Sequence, residues 1–182
     1  MAKLIGISGS LRKASFNTGL LRAAAAVMPS GSTLQLRTIH GIPLYDGDLE
    51  EQSGIPAAVV DLKDAIAAAD GVIIATPEYN NSLPGVFKNA VDWLTRPPAD
   101  IKRVWGNKPV AIIGATVGGF GTILAQDAWA ATMRHLGVRL WFGDRLLVSG
   151  AAKVFDAHGE LTDEKTRENL KRFVTGFAEF CR

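Results

Sequence analysis

Cysteine is nearly absent: Cys181 is the single one in 182 residues, so no intrachain disulfide can form and the fold must rest on its own core. This suits a reducing compartment. No stretch is both apolar and long enough to cross a bilayer. The opening MAKLIGISGS lacks the basic, then apolar, then small layout of a secretory leader, so the expectation is a soluble cytoplasmic protein with no membrane partner. Charge is nearly balanced, with a formal net charge of +2, which gives no footing for nonspecific nucleic-acid binding. His40, His135 and His158 are scattered without metal-ligand spacing, so no metal is expected. The most local shortage is of acid: residues 1 to 45 hold Lys3, Arg12, Lys13, Arg22 and Arg37 but no Asp or Glu. A positive N-terminal third favours an anionic ligand. A buried strand and short helix with little room for acids would leave the same pattern.

The chain is 47% hydrophobic, and its length suits one domain spanning 1–182. No repeat, low-complexity run or linker interrupts it. KLIGIS (3–8), STLQLRTI (32–39), GVIIAT (71–76), PVAIIGA (109–115) and VRLWFG (138–143) have strand character. Near-continuous apolar runs among them suit a sheet covered on both faces. Helical patterns occupy 17–28, 56–69, 84–95, 121–136 and about 162–181. This alternation predicts an α/β fold: a doubly wound, five-stranded parallel sheet with helices on both faces. In such folds ligands bind beyond the carboxyl ends of the strands, so the loops after strands one, three and four are the places for chemistry.

The first of these loops, SGSLRKASFNT (8–18), offers a tight turn at Gly9 and amides near a helix start. Ser10, Ser15, Asn17 and Thr18 are neutral donors, and Arg12 is a forked cationic one. No Gly-Lys-Ser/Thr follows the glycines, and GISGSL is not a G-x-G-x-x-G fingerprint, so a terminal phosphate monoester is expected rather than a P-loop or a Rossmann dinucleotide site. A helix cap accounts for Ser15 or Asn17 alone, but not for four donors with Arg12. The second loop, TPEYNNSLPG (76–85), is stiffened by Pro77 and Pro84. Its Glu78, Tyr79 and free amides could border a planar heteroaromatic ring, with Glu78 accepting from a ring N–H. A proline-bounded turn with a half-buried tyrosine is the plain alternative. The third, GATVGGFGT (114–122), has glycines where a flat ligand could approach the backbone, and Thr116 placed to hydrogen-bond.

GSLRKASFN, PEYNNSLPG and the glycine-rich third loop together resemble the NAD(P)H-dependent FMN reductase family, most of all its quinone and chromate reductase branch. The resemblance runs the length of the chain, although ATVGGFGTI departs from the family's usual spacing in the third loop. It implies a flavodoxin-like fold holding FMN noncovalently, with NADPH or NADH as electron donor. It assigns Ser10, Arg12, Ser15, Phe16 and Asn17 to the flavin phosphate, Pro77, Glu78, Tyr79 and Asn80 to the ring, and Thr116 and Gly118 nearby. Small-molecule acceptors are implied: quinones, chromate, nitro or azo compounds, or free flavin. A homodimer or homotetramer is implied too, in which IPLYDGDLE (42–50), with Tyr45, Asp46 and Asp48, reaches a neighbouring subunit's flavin. The cofactor carries the hydride step, so no catalytic side chain is required. An electron carrier without nucleotide activity is the second reading, though such carriers are typically acidic and the pI here is near 8.8. Trp93 and the apolar residues Trp129, Met133 and Leu136 could form an oligomer interface or fill the core.

Overall fold

The computed structural model describes residues 1–182. Its apolar segments lie side by side. β1 (Lys3–Ser8) runs between β2 (Thr33–Thr38) and β3 (Gly71–Ala75), and β4 (Pro109–Ala115) follows β3, every pairing parallel. The far edge is shared by two short strands, β5 (Arg139–Leu140) beside Pro109 and Val110, and β6 (Leu146–Val148) beside Ile113 to Ala115. The spatial order β2-β1-β3-β4-β5 reverses direction between β1 and β3. The loops after those two strands therefore flank the crevice where doubly wound sheets bind ligands.

The helices are α1 (Phe16–Ala26), α2 (Gly47–Ser53), α3 (Ala57–Ala68), α4 (Gly85–Trp93), α5 (Ile101–Val104), α6 (Ile123–His135) and α7 (Glu164–Phe180). Alternate strand side chains go to opposite layers. Leu4, Ile73, Ala111 and Ile113 pack with α1 and α7, while Ile5, Ile7, Val72, Ile74 and Val110 pack with α3, α4 and α6. Burial on both faces is why GVIIA has no polar alternation. Each buried large side chain contributes about 1.5–3 kcal/mol, and Phe87, Trp93, Trp105 and Trp129 are among those fully enclosed.

Three expectations are corrected here. VRLWFG is a strand for two residues only; at Trp141 the side chain packs edge-on to Phe173 of α7, and the edge position resumes at Leu146. α2 falls where the sequence pattern predicted no element. It has no buried residue, so it left no apolar periodicity to detect; Asp46 caps it by accepting from the Asp48 N–H at 2.9 Å. Trp93, Trp129 and Met133 are enclosed in the core and unavailable to a partner.

Candidate flavin site at the carboxyl ends of the strands

β1 ends in a loop built to face an anion. The Gly9 N–H is anchored on the Ala75 carbonyl, and Gly9 itself packs under the Phe87 ring, which any Cβ there would strike. Arg12 N–H reaches Ser10 Oγ at 3.3 Å, and Ser15 Oγ caps α1 by accepting from Thr18 N–H. The amides of Ser10, Leu11 and Lys13 through Asn17 find no acceptor in the protein. Ser10 and Ser15 are buried polar residues beside them. Leu11 and Lys13 are exposed, but the amides of Ser10, Ser15 and Asn17 belong to buried residues; buried donors are almost always satisfied, so open ones beside two hydroxyls and a guanidinium fit a phosphate. Arg12 forms no ion pair; its guanidinium lies over the Phe16 ring at 5.8 Å, and Phe16 leans on Phe155. His40 Nε2 lies 3.1 Å from the Leu11 carbonyl and buttresses the loop.

Two loop-one donors are used elsewhere. Thr18 Oγ1 is 2.7 Å from Ser8 Oγ. Asn17, only 3% exposed, donates from Nδ2 to the Ala115 carbonyl at 3.0 Å and accepts the Ala115 N–H on Oδ1 at 2.9 Å. Its side chain therefore ties α1 to the end of β4, and only its backbone amide is open to a phosphate.

The second loop is a two-residue hairpin turn. Tyr79 and Ser82 exchange backbone hydrogen bonds at 3.0 Å, and Asn80 and Asn81 both take positive φ, 50° and 59°. Glu78, Asn80 and Asn81 keep amides without protein acceptors, and Tyr79 is 45% exposed. Glu78 accepts on Oε2 from the Leu124 and Ala125 amides at 2.9 and 3.1 Å, capping α6. One carboxylate oxygen thus locks the second loop to the start of α6, and Oε1 is left to face a ring.

The third loop is held from behind. Thr116 N–H donates to the Val148 carbonyl at 3.0 Å, and the Ala151 and Gly150 amides return to the Thr116 and Gly118 carbonyls. Open space faces Gly119, a Cβ on Gly118 would meet only Thr116 Oγ1 at 3.9 Å, and neither glycine has positive φ. Neither the packing of the chain nor its backbone geometry requires glycine here, and the loop leaves room for close approach to the backbone. Val117 and Phe120 stand exposed beside them at 67% and 63%.

Ser10, Arg12, Ser15, Phe16, Asn17, Pro77, Glu78, Tyr79 and Thr116 converge on one cleft, whose enclosed part measures about 170 Å³. Asn80 and Gly118 stand just outside that lining. Ala115 and Val117 also line it; both were missed because only their position in space marks them. A larger groove of about 980 Å³ lies between β2 and α3, but volume is a poorer guide than the open donors of the cleft. Tyr45, Asp46 and Asp48 line none of it. Tyr45 N–H donates to Asn89 Oδ1, its hydroxyl donates to Glu50, and Glu50 pairs with Arg96 at 2.7 Å.

A doubly wound parallel sheet with a phosphate-type loop at the switch point and a glycine-flanked rim next to it defines the flavodoxin-like class of flavin-binding proteins. Within that class the chain belongs to the NADPH-dependent FMN reductase family, whose model matches residues 2–153. It is 43% identical over 170 residues to an NAD(P)H-dependent FMN reductase of Pseudomonas aeruginosa, covering 93% of this chain and 90% of that one. It is 39% identical over 180 residues to a 2-hydroxy-1,4-benzoquinone reductase of a Burkholderia species, covering 99% and 96%. Among solved structures, the flavoenzyme NAD(P)H:(acceptor) oxidoreductase of Paracoccus denitrificans superposes with a TM-score of 0.86 at 35% identity, over 100% of this chain and 97% of that one. No helix is long and apolar enough to cross a membrane.

Proposed function

We propose that residues 1–182 form one FMN-binding domain that oxidises NADPH or NADH and passes the electrons to a small-molecule acceptor. The observation that carries this reading is the set of unpartnered amides of Ser10, Leu11 and Lys13 through Asn17 beside the side chains of Arg12, Ser10 and Ser15. Bound FMN supplies the chemistry, hydride uptake from the nucleotide and electron return to the acceptor in alternating half-reactions. The chain binds and orients. Loop-one amides and Arg12 hold the phosphate; the open amides of Glu78, Asn80 and Asn81 donate to polar ring atoms and stabilise the negative charge of a reduced ring. Gly118 and Gly119 let the backbone approach the ring. Exposed Tyr79, Val117 and Phe120 border a face that suits flat, largely apolar acceptors such as quinones; chromate, nitro and azo compounds and free flavin are further acceptors of the same open site. The protein acts as a cytoplasmic homodimer or homotetramer. The 42–50 strap, which leaves Leu44 79% exposed, faces the neighbouring subunit.

The test is a visible spectrum of the purified protein with added FMN, repeated without oxygen after NADPH and then NADH. Flavin peaks that bleach and return on adding a quinone support the reductase. Bound flavin that neither nucleotide bleaches supports an electron carrier instead, and failure to bind FMN refutes the reading.

A further inference from the structure

KTRENLKR (165–172) has no part in the flavin cleft, and its alternating charges suit a solvated helix face. Its place in the fold gives it another role. Lys165, Asn169 and Arg172 are spaced by four and three along α7 and share one side of it. That side meets the outer edge of β6 across a cavity of about 420 Å³, to which Arg145, Ser149 and Thr166 also contribute. No carboxylate lines it. Asp144 stands behind, with Oδ2 accepting from Arg172 Nε at 2.9 Å and Oδ1 from the Arg145 backbone N–H at 2.8 Å. Asn169 Oδ1 accepts from Arg172 Nη1 at 3.1 Å, so that guanidinium is fixed from one side. Asp163 is occupied by the N–H and hydroxyl of Thr166.

The side chains of Arg145 and Lys165, like that of Arg12 in the first loop, make no hydrogen bond or salt bridge in the protein, whereas Arg172 on the same cavity closes onto Asp144. β6 adds donors. Val148 points its carbonyl at Thr116 on the β4 side, so the peptide groups of Leu147 and Ser149 on either side face outward, and their N–H groups have no acceptor. The cavity also adjoins the flavin site: Ser149 precedes Gly150 and Ala151, whose amides bond the Gly118 and Thr116 carbonyls of the third loop.

We propose that this cavity receives a phosphate monoester on the electron donor, the 2′-phosphate that distinguishes NADPH from NADH. The inference rests on the reductase reading above. With Asp144 and Asp163 included, the cluster carries one net positive charge, and Arg145 and Lys165 are the two cations left without a carboxylate partner to meet a phosphate monoester of about −1.5 to −2 near neutral pH. Arg145 offers a planar fork for two phosphate oxygens, and Lys165 a mobile point charge. NADH presents only a hydroxyl there and gains none of this. The cavity thus selects the nucleotide, while the ring end of the donor lies over the glycine loop.

The experiment compares KM for NADPH and NADH in the FMN-loaded protein and its Arg145→Ala and Lys165→Ala variants. Titration calorimetry of 2′,5′-ADP, 5′-AMP and inorganic phosphate accompanies it. Losing one charge-assisted contact is expected to raise KM for NADPH about tenfold, with KM for NADH changing less than about twofold and kcat little altered. Wild type should bind 2′,5′-ADP more tightly than 5′-AMP, and Arg145→Ala should remove the difference. Equal KM increases for both nucleotides, no increase, or 2′,5′-ADP binding no better than 5′-AMP or phosphate would overturn the proposal. Since Arg145 has no side-chain partner in the fold, its loss leaves folding intact. Absence of FMN binding or of turnover with either nucleotide would count against the reductase reading, and the calorimetry would still decide the cavity.

Discussion

Replacing Asn17 with alanine removes the one side chain that joins the start of α1 to the end of β4. Both Ala115 backbone groups, the N–H at 2.9 Å and the C=O at 3.0 Å, then lose their partner. Ala115 is 2% exposed, so water does not readily replace the amide. A buried group left unsatisfied costs about 1–3 kcal/mol, and two of them set an expected loss of about 3 kcal/mol for Asn17→Ala. At about 2–4 °C per kcal/mol for a domain of this size, Tm falls by about 6–12 °C. Ser15→Ala removes only an N-cap acceptor and is expected to cost about 1 kcal/mol. Urea unfolding of the flavin-free proteins gives both values under one condition. Asn17→Asp sharpens the comparison: the carboxylate still accepts the Ala115 N–H but opposes the Ala115 carbonyl, and burial raises its pKa in the folded state. The folded form then holds its proton more tightly than the unfolded one, so the variant's stability is greatest at low pH and falls as pH rises through the raised pKa. An Asn17→Ala loss below about 1 kcal/mol, or no larger than that of Ser15→Ala, would refute the link between the loops.

Arg12→Ala should weaken FMN binding by about 10–100-fold, as expected for one charge-assisted phosphate contact. It should lower urea stability by no more than about 0.5–1 kcal/mol, because Arg12 has no ion pair and gives up only its contact with the Phe16 ring; fluorescence titration with FMN measures the first effect. Glu78→Gln keeps an acceptor for the Leu124 and Ala125 amides but removes the negative charge at the α6 start, and should cost about 0.3–1 kcal/mol; Glu78→Ala should cost clearly more in the same unfolding assay. Burial pushes the Cys181 thiol up to about 12 from 9.0. The folded state therefore retains a proton that the unfolded state releases, and stability declines as pH rises from about 9 toward 12. At pH 8, alkylation of Cys181 by iodoacetamide should be much slower in the folded protein than in urea; equal rates would contradict the burial.

The amino-acid sequence by itself determined the sheet, the helices on both faces and the loops that matter, because hydrophobic periodicity and turn chemistry are local signals. GVIIA had to be covered on both faces, and Pro84 had to open α4. The loop with Ser10, Arg12 and Ser15 was legible as an anion site because its donor types sit together in the chain. Tertiary structure decided what each polar group does. Asn17 and Glu78 were expected to meet ligand, yet their side chains close on backbone groups 98 and about 46 residues away. Which buried donor finds which acceptor depends on the packed fold, since an unpaired one is costly. The same holds for the broken edge strand, where the Trp141 N–H still bonds the Val110 carbonyl but its side chain packs on α7 and the edge resumes only at Leu146. It holds also for the cavity beside β6, where cations from two separate segments meet only because α7 docks against that edge.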